Sequence, residues 1–193
     1  MQTNHKQQAM LPDSEIIRQI LDGATGLFRL LVNRHANEVM RIVGRIVPVQ
    51  ADAEDVMQEA FVAAYQQLTE YDARQAGFRT WLLGIACHKA LKQAKNASLF
   101  PHETIDREEM ENLPDADVDH LLDDTLPDRL ALLEQAVTLL SPNDRLLLSL
   151  YYHDNRKLKE IALIMGCTDS YLRSRLQWIR KYLCHTIYTL ERK

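Results

Sequence analysis

Cysteine, glycine and proline are scarce in this sequence, whose 193 residues include three cysteines, six glycines and six prolines. The cysteine count is odd, and no two cysteines have the CxxC spacing of zinc and redox motifs. Both facts argue against a disulfide framework and against a tetrahedral zinc site. We therefore expect Cys87, Cys167 and Cys184 to be reduced thiols that are mostly buried.

Long hydrophobic runs are also missing. The longest candidate, WLLGIAC at residues 81–87, is far shorter than the ~20 residues that a membrane-spanning helix requires. The N-terminal residues have no apolar stretch after a basic start, which a secretory signal would show. The sequence thus predicts a soluble, cytoplasmic protein with no membrane insertion.

The alternating pattern of β-strands is absent as well. Apolar residues instead recur at helical spacing nearly everywhere outside residues 97–128. We therefore predict an all-α fold. The expected helices run from about residue 14 to 21, from 27 to 46, from an N-cap at Asp52 to about 68, and from 78 to 96, and four helical segments follow residue 128.

Acidic residues are concentrated in one segment of the chain. Between Glu103 and Asp128, eleven acidic residues stand against a single arginine, so this segment carries −10 while the whole chain carries −4. The remainder therefore carries +6 and is free to meet a polyanion. Residues 97–128 also contain three prolines and cannot bury enough apolar surface to fold alone. We predict two small helical domains, residues 1–96 and 129–193, joined by an acidic flexible linker at 97–128, in which DVDHLL can form a short helical turn.

Three capping signals divide the C-terminal domain into helices. Ser141-Pro142 followed by Asp144 predicts a helix that runs through residue 152. The stretch KLKEIALIMG predicts a second helix that stops at Gly166. Thr168 can then cap the last helix, which is expected to continue to about residue 190.

Within these helices, Ala162, Gly166 and Leu172 have the spacing of a helix-turn-helix. A small residue lets the two helices approach, a glycine can take positive φ in the turn, and an apolar residue plugs the second helix into the first. The last helix has one apolar stripe and one polar, basic face, which suits a recognition helix in the DNA major groove. The predicted DNA-binding residues on it are Ser170, Tyr171, Arg173, Ser174, Arg175, Gln177, Arg180 and Lys181. The predicted apolar stripe is Leu172, Leu176, Ile179 and Leu183.

Some of these residues have a second interpretation. Arg175 can pair with an acidic residue of its own domain, and Tyr171 can simply cover the turn. Arg180 and Lys181 can belong to an ordinary solvated face. The agreement of spacing, capping and charge nevertheless favours DNA binding by this domain.

The chain as a whole resembles an extracytoplasmic-function (ECF) sigma factor, the small class of bacterial RNA polymerase specificity subunit in the sigma-70 family (group IV). DAEDVMQEAF and FRTWLLGIACHKAL resemble region 2 of that family, and LSPNDRLLLSLYYHDNRKLKEIALIMGCTDSYLRSRLQWIRKYL resembles region 4. The resemblance implies that region 2 binds the clamp helices of the largest subunit of core RNA polymerase and melts the −10 promoter element. Region 4 is then expected to bind the −35 element of promoter DNA and to touch the flap of the second-largest subunit. The resemblance also implies control by an anti-sigma factor.

The helix that starts with DAED is the expected contact with polymerase. Acidic residues in its first turn interact favourably with the helix dipole, which accounts for the start of the helix only. The family places its clamp contact on this helix, so its polar face is expected to bind polymerase. The polymerase-binding candidates are Glu54, Asp55, Gln58 and Glu59.

Promoter melting requires aromatic or planar surfaces beside cations, because bases must be unstacked and held. The loop YDARQAG and the helix after it supply such residues. The candidates for the −10 element are Tyr71, Arg74, Gln75, Arg79, His88, Lys89, Lys92 and Lys95. Arg79, Lys89 and Lys92 are expected to form one basic flank, whereas Phe78 and Trp81 are expected in the core.

The chain departs from the family at two places. Cys87-His88 stands where members commonly have Arg-Asn, so His88 must hold a flipped −10 base differently or not at all. Asp169, Ser170 and Tyr171 stand where small or apolar residues and threonine are usual. The −10 and −35 sequences therefore cannot be carried over from the family.

Two other functional classes compete with a sigma factor. A stand-alone helix-turn-helix regulator would use the N-terminal domain for dimerisation or sensing, and it would not need a basic fourth helix after an acidic third. A helical enzyme is disfavoured, since no nucleophile, base or phosphate-binding loop can be named. Cys87-His88 and Cys184-His185 do not favour a metal site, because adjacent residues on a helix point about 100° apart. We expect no catalytic residue, cofactor or bound metal.

Overall fold

The structure is a computed structural model and describes residues 11–96 and 127–191. The described residues form helices joined by turns, with no strand among them, so the predicted all-α fold is confirmed. The α-helices are α1 (Asp13–Leu21), α2 (Phe28–Val43), α3 (Gln50–Gln66), α4 (Phe78–Asn96), α5 (Pro127–Thr138), α6 (Pro142–Leu148), α7 (Leu158–Met165) and α8 (Asp169–Glu191). Short 3-10 turns occupy Thr25–Leu27 and Leu68–Glu70, and a π-helical turn occupies Ser149–His153.

The chain divides into two compact units. The first contains α1 to α4 and also Leu163–Gly166 at the end of α7, and the second contains α5, α6, α8 and the beginning of α7. Helix α5 starts at Pro127, just inside the end of the expected linker. The rest of that linker, including DVDHLL, lies outside the described residues, and the expected domain boundaries stay predictions.

In the first unit, α3 packs mainly against α4. Alanines make up much of the buried surface of both helices, and small side chains shorten the distance between two helix axes. The alanines without accessible surface are Ala53, Ala60, Ala64, Ala86, Ala90 and Ala94. The close packing brings the polar edges of the two helices within reach of each other.

The start of α3 differs from the prediction. The helix begins at Gln50 with Val49 in the N-cap position and without a side-chain capping bond, so the prediction of Asp52 as N-cap is wrong. Gln50 and Ala51 are good helix formers, so they extend the helix toward the N-terminus. The backbone of Val49 is extended, and the helix therefore begins after it. Asp52 lies in the first turn, where a carboxylate still stabilises the positive end of the helix dipole by ~0.3–1 kcal/mol.

In the second unit, the predicted start of α6 is confirmed. The Ser141 hydroxyl accepts a hydrogen bond from the backbone N–H of Asp144 at 3.2 Å, and Pro142 occupies the first helical position. Helical structure continues past Leu148 as the π-helical turn, so it includes residue 152 as expected. This capped helix fixes the position of Asp144, whose side chain is buried.

The turn of the predicted helix-turn-helix is also confirmed. Gly166 ends α7 with φ of +65°, and the backbone N–H of Cys167 donates to the carbonyl of Ala162 at 3.0 Å. Thr168 caps α8, because its hydroxyl accepts from the backbone N–H of Tyr171 at 3.2 Å. Three members of the predicted apolar stripe of α8 are buried, namely Leu172, Leu176 and Ile179. The fourth, Leu183, is half-buried.

Gly166→Ala is expected to lower the free energy of unfolding of the protein by about 1–2 kcal/mol, because an L-residue is disfavoured at positive φ. A Cβ at this position would meet no atom within 4 Å, so the loss measures backbone conformation alone. Urea unfolding followed by far-UV circular dichroism, which reports on the helices of both units, would measure it. Gly77→Ala is the matched control, since its Cβ also meets nothing within 4 Å and its φ is not positive. A stability of Gly166→Ala equal to that of the control would contradict this reading of the turn.

Candidate functional site

The outward face of α3 is acidic and exposed. Glu54, Asp55, Gln58 and Glu59 all lie on it, which brings together the four residues that the sequence suggested for polymerase binding. Gln50 donates a hydrogen bond from its amide to Glu54 Oε1 at 3.0 Å, one turn away. This face is therefore a continuous polar surface along more than two turns of helix.

Two large apolar side chains extend this face, and sequence reasoning missed both. Val62 is 56% exposed and Tyr65 is 41% exposed. They lie four and seven residues after Gln58, so helical spacing puts them on the same side of α3. The ring of Tyr65 meets Phe28 edge-on at 5.0 Å, which holds it in place. The sequence could have indicated both residues, because they lie on the polar side of an amphipathic helix. Exposed apolar groups next to polar ones are typical of contact surfaces.

The edge of this face forms a cleft with α4. Lys89 Nζ forms an ion pair with a carboxylate oxygen of Glu59 at 3.1 Å. Asp52 and Asp55 line the same cleft from α3, and Lys92 lines it from α4. The structure thus brings a candidate for polymerase binding into direct contact with a candidate for DNA binding.

Arg79 lies elsewhere on α4. Its guanidinium Nε donates to Glu38 of α2 at 2.6 Å. The expected single basic flank of Arg79, Lys89 and Lys92 is therefore wrong: Lys89 and Lys92 share the α3 cleft, whereas Arg79 faces α2 about 15–20 Å away along the helix at 1.5 Å per residue. His88 and Lys95 are exposed on the same helix as the two cleft lysines.

Three aromatic rings cluster where the YDARQAG loop enters α4. The ring centroid of Tyr71 lies 5.3 Å from that of Trp81 and 5.9 Å from that of Phe78. Phe78 is buried, as expected, whereas Trp81 and Tyr71 are half-buried. Burial raises the pKa of the Tyr71 hydroxyl, which keeps it a neutral hydrogen-bond donor.

Two polar residues of this loop, Arg74 and Gln75, are exposed. Arg74 is 91% exposed and pairs with Asp72 at 2.9 Å. Its hydrogen bonds lower the pKa of the Asp72 carboxyl, and Gln75 contributes a further hydrogen bond. The loop therefore presents an exposed planar guanidinium three residues after Tyr71.

The outward face of α8 carries most of the residues predicted to bind DNA. Ser170, Tyr171, Arg173, Ser174, Gln177 and Arg180 are exposed, and Lys181 is half-buried. Two of the arginines have partners within the unit. Arg173 pairs with Asp169 at 2.8 Å, and Arg180 donates to the Tyr152 hydroxyl at 2.9 Å.

Arg175 is oriented differently from these residues. Its Nε and Nη2 donate to the two carboxylate oxygens of Asp144 at 2.6 and 2.7 Å. The hydrogen bond to Asp144 raises the pKa of Arg175 further above its usual value. Pairing with an acidic residue of its own unit, which the sequence left open, is therefore what the structure shows.

A second basic group lies next to the exposed face of α8. Lys157 and Lys159, at the start of α7, line an open cleft together with Tyr151, Tyr152 and Arg173. Sequence reasoning did not select the two lysines. The signal was present as the run RKLK at residues 156–159, which spans the start of the first helix of the helix-turn-helix.

The cysteines are free thiols, as expected. Cys87 and Cys184 are buried and Cys167 is half-buried. Burial raises the pKa of Cys184, which keeps it protonated. Across residues 11–96 and 127–191, no three His, Cys, Asp or Glu side chains are grouped so that they could hold a metal ion. In the same ranges, no helix combines the length and the apolar composition needed to cross a bilayer.

Similarity to known proteins covers nearly the whole chain. Residues 31–99 match the protein family described as sigma-70 region 2. The chain is 30% identical over 191 residues to the ECF RNA polymerase sigma-E factor of Escherichia coli K12, which covers 95% of this chain and 98% of that protein. It is 27% identical over 199 residues to the RNA polymerase sigma-H factor of Pseudomonas aeruginosa, covering 94% and 96% of the two chains.

Two solved structures share the fold. CnrH, determined in complex with the cytosolic domain of CnrY, superposes with a TM-score of 0.60 at 21% identity and covers 90% of this chain and 95% of its own. The sigma factor RpoE of Bartonella quintana, determined in complex with the anti-sigma factor NepR, gives a TM-score of 0.54 at 16% identity, covering 83% and 96%. The sequence identity over nearly the full length, together with the all-α fold, shows that this chain belongs to the ECF family of RNA polymerase sigma factors.

Proposed function

We propose that the outward face of α3 is the surface that binds the clamp helices of core RNA polymerase. The observation that carries this proposal is the combination of exposed Val62 and Tyr65 with exposed carboxylates on one helix face. Apolar anchors surrounded by polar groups are typical of protein interfaces, and an acidic rim favours a basic partner surface. Glu54, Asp55, Gln58 and Glu59 supply this rim.

The YDARQAG loop and α4 hold the melted −10 element in this proposal. Tyr71 and Trp81 offer ring surfaces on which an unstacked base can lie, and Arg74 and Gln75 stand beside them. His88, Lys89, Lys92 and Lys95 follow the DNA backbone along the second half of α4, and Arg79, which faces α2, makes a separate contact near the start of the helix. His88 is exposed, so its imidazole is available for a base or phosphate contact where family members commonly have asparagine.

Helix α8 binds the −35 element in the same proposal. Its exposed N-terminal half, with Ser170, Arg173, Ser174 and Gln177, faces the major groove, and Tyr171 reaches the DNA from the first turn of the helix. Lys157 and Lys159 bind the adjacent phosphates, because they line the cleft beside Arg173. Arg180 and Lys181 extend the contact, and the second unit also touches the polymerase flap.

The protein catalyses no reaction, needs no cofactor and acts in the cytoplasm, where polymerase and the chromosome meet. We expect an anti-sigma factor to hold it inactive, since CnrH and RpoE, which share its fold, were solved bound to CnrY and to an anti-sigma factor, respectively. Co-purification of the chain expressed in its own host, with mass spectrometry of the bound proteins, would identify this partner.

The deciding experiment is reconstitution of the chain with core polymerase, followed by genome-wide run-off transcription. A sigma factor gives transcripts whose start sites share two upstream elements, and the alignment of these sites gives the −10 and −35 sequences. A stand-alone regulator would instead bind DNA tightly by itself and give no open complex with core polymerase. That outcome would overturn the proposal.

Lys157→Ala is expected to weaken promoter binding by the holoenzyme equally for matched and mismatched −35 sequences, and to reduce the slope of log K against log salt concentration by about 0.9. Arg173→Ala is expected to reduce the preference for the matched −35 sequence, by about 1–3 kcal/mol for a base contact. Arg18→Ala in α1 is the control for loss of an exposed arginine, since its partners Glu15 and Asp22 lie on or beside its own helix. Equal effects of Lys157→Ala and Arg173→Ala on sequence preference would contradict the division of roles.

A further inference from the structure

The carboxylate of Asp144 is a buried acceptor held from two helices. Its side chain is 4% exposed. On α6, its Oδ2 accepts a hydrogen bond from the Ser141 hydroxyl at 2.6 Å. From α8, it accepts the two parallel hydrogen bonds of Arg175. A planar guanidinium that binds both oxygens of a carboxylate has one defined orientation, so the pair resists rotation of either helix.

The other side of Arg175 is also fixed. Its guanidinium carbon lies 3.9 Å from the ring centroid of Trp178. Trp178 in turn stacks on Tyr182, with ring centroids 5.4 Å apart and planes inclined by 14°. The contacts from Asp144 to Tyr182 therefore run along two turns of α8 and attach that side of the helix to α6.

The direction of Arg175 excludes it from the exposed face. At about 100° per residue, Arg175 points about 160° away from both Arg173 and Gln177 around the axis of α8. These two side chains are exposed, whereas the Arg175 side chain is 30% exposed. Held by Asp144 on this side of the helix, the Arg175 guanidinium cannot reach the groove that Arg173 and Gln177 face.

We propose that Asp144 and Arg175 are positioning residues for promoter recognition, and that their bidentate pair sets the rotation of α8 about its own axis. This inference rests on the proposed binding of the −35 element by α8. Rotation of α8 by about 100°, the angle between successive residues, would replace the outward side chains by their neighbours. The fixed orientation of the helix therefore determines which side chains reach the base edges. The sequence prediction of Arg175 as a DNA contact is replaced by this role.

Arg175→Lys and Asp144→Asn test the inference in the full chain assembled with core polymerase. Lysine keeps the charge but cannot make two parallel bonds, and asparagine keeps the shape of Asp144 but not its charge. The affinity ratio between a promoter from the run-off experiment and the same promoter with a scrambled −35 element is the quantity to measure. We expect each variant to lower this ratio about tenfold. The salt slope of binding should not change, because no phosphate contact is lost.

Two further variants separate positioning from stability. Leu150→Val removes one buried methylene from the same unit, so it should lower Tm while leaving the ratio unchanged. The double variant Asp144→Asn, Arg175→Lys should have about the effect of the stronger single variant, because both changes break one pair. In a Trp81→Phe background, Arg175→Lys should also change the fluorescence of Trp178, on which the guanidinium lies.

Two results would overturn the inference. One is an unchanged ratio in both variants despite a lower Tm, which would make the pair merely structural. The other is a salt slope reduced by about 0.9 in Arg175→Lys, which would make Arg175 a phosphate contact. If the wild-type holoenzyme itself shows no preference for the intact −35 element, the proposed function of α8 fails, and the inference fails with it for that separate reason.

Discussion

Leu172→Ala is expected to lower the free energy of unfolding of the second unit by about 2–5 kcal/mol. Leu172 has no accessible surface and comes from the first turn of α8, where it fixes this helix onto the rest of the unit. A unit of this size has a stability of only about 3–10 kcal/mol, at roughly 0.05–0.15 kcal/mol per residue. The substitution therefore removes a large share of the stability of the unit, and promoter-directed transcription should fail at a lower temperature than in the wild type.

The chain contains two tryptophans, and only Trp178 lies in the second unit. Urea unfolding of Leu172→Ala in a Trp81→Phe background would thus report the stability of this unit directly. Leu130→Ala is the matched control, because it removes the same atoms from a side chain of α5 that is 61% exposed. It should change stability by less than about 0.5 kcal/mol. A loss below about 1 kcal/mol for Leu172→Ala would mean that the unit does not depend on the predicted plug residue.

The local features of the fold were accessible from the sequence because they depend on neighbouring residues. The N-cap at Ser141, the turn at Gly166 and the cap at Thr168 each involve side chains and backbone groups within five residues of one another. Helical periodicity likewise gave α4 its observed bounds, Phe78–Asn96. The wrong start predicted for α3 also has a local cause. An aspartate is favourable both at the N-cap and in the first turn of a helix, so its presence does not distinguish the two positions.

The relations between helices were not accessible in the same way. Glu59 and Lys89 are 30 residues apart, and Asp144 and Arg175 are 31 apart. Their pairing depends on which faces of α3 and α4, or of α6 and α8, meet, and that depends on buried surfaces such as the alanine contacts between α3 and α4. The same reason explains the separation of Arg79 from Lys89 and Lys92. The sequence showed three cations on one helix, but the positions of α2 and α3 decide where each one lies.

The pairing of Glu59 with Lys89 complicates any mutation of this acidic face. Charge reversal at Glu59 would remove a candidate contact with polymerase and would also put a second cation next to Lys89, 3.1 Å from the present carboxylate oxygen. Like charges at this distance destabilise the local structure. A loss of polymerase binding by a single variant would therefore have two explanations, and the test must separate them.

Glu59→Lys is expected to weaken binding to core polymerase by about 2 kcal/mol or more, roughly thirtyfold, because reversal of an interfacial charge both removes attraction and adds repulsion. The double variant Glu59→Lys, Lys89→Glu restores the ion pair with reversed polarity. If α3 binds polymerase, this double variant should regain thermal stability but should not regain affinity, since the outward charge is still reversed. Glu134→Lys, an exposed charge reversal on α5, controls for the change in net charge and should bind normally. Affinity is best measured by fluorescence polarisation of labelled chain against core polymerase without DNA, so that the role of Lys89 toward the promoter does not enter. Recovery of full affinity in the double variant would assign the effect to the lost ion pair and would remove Glu59 from the polymerase-binding surface.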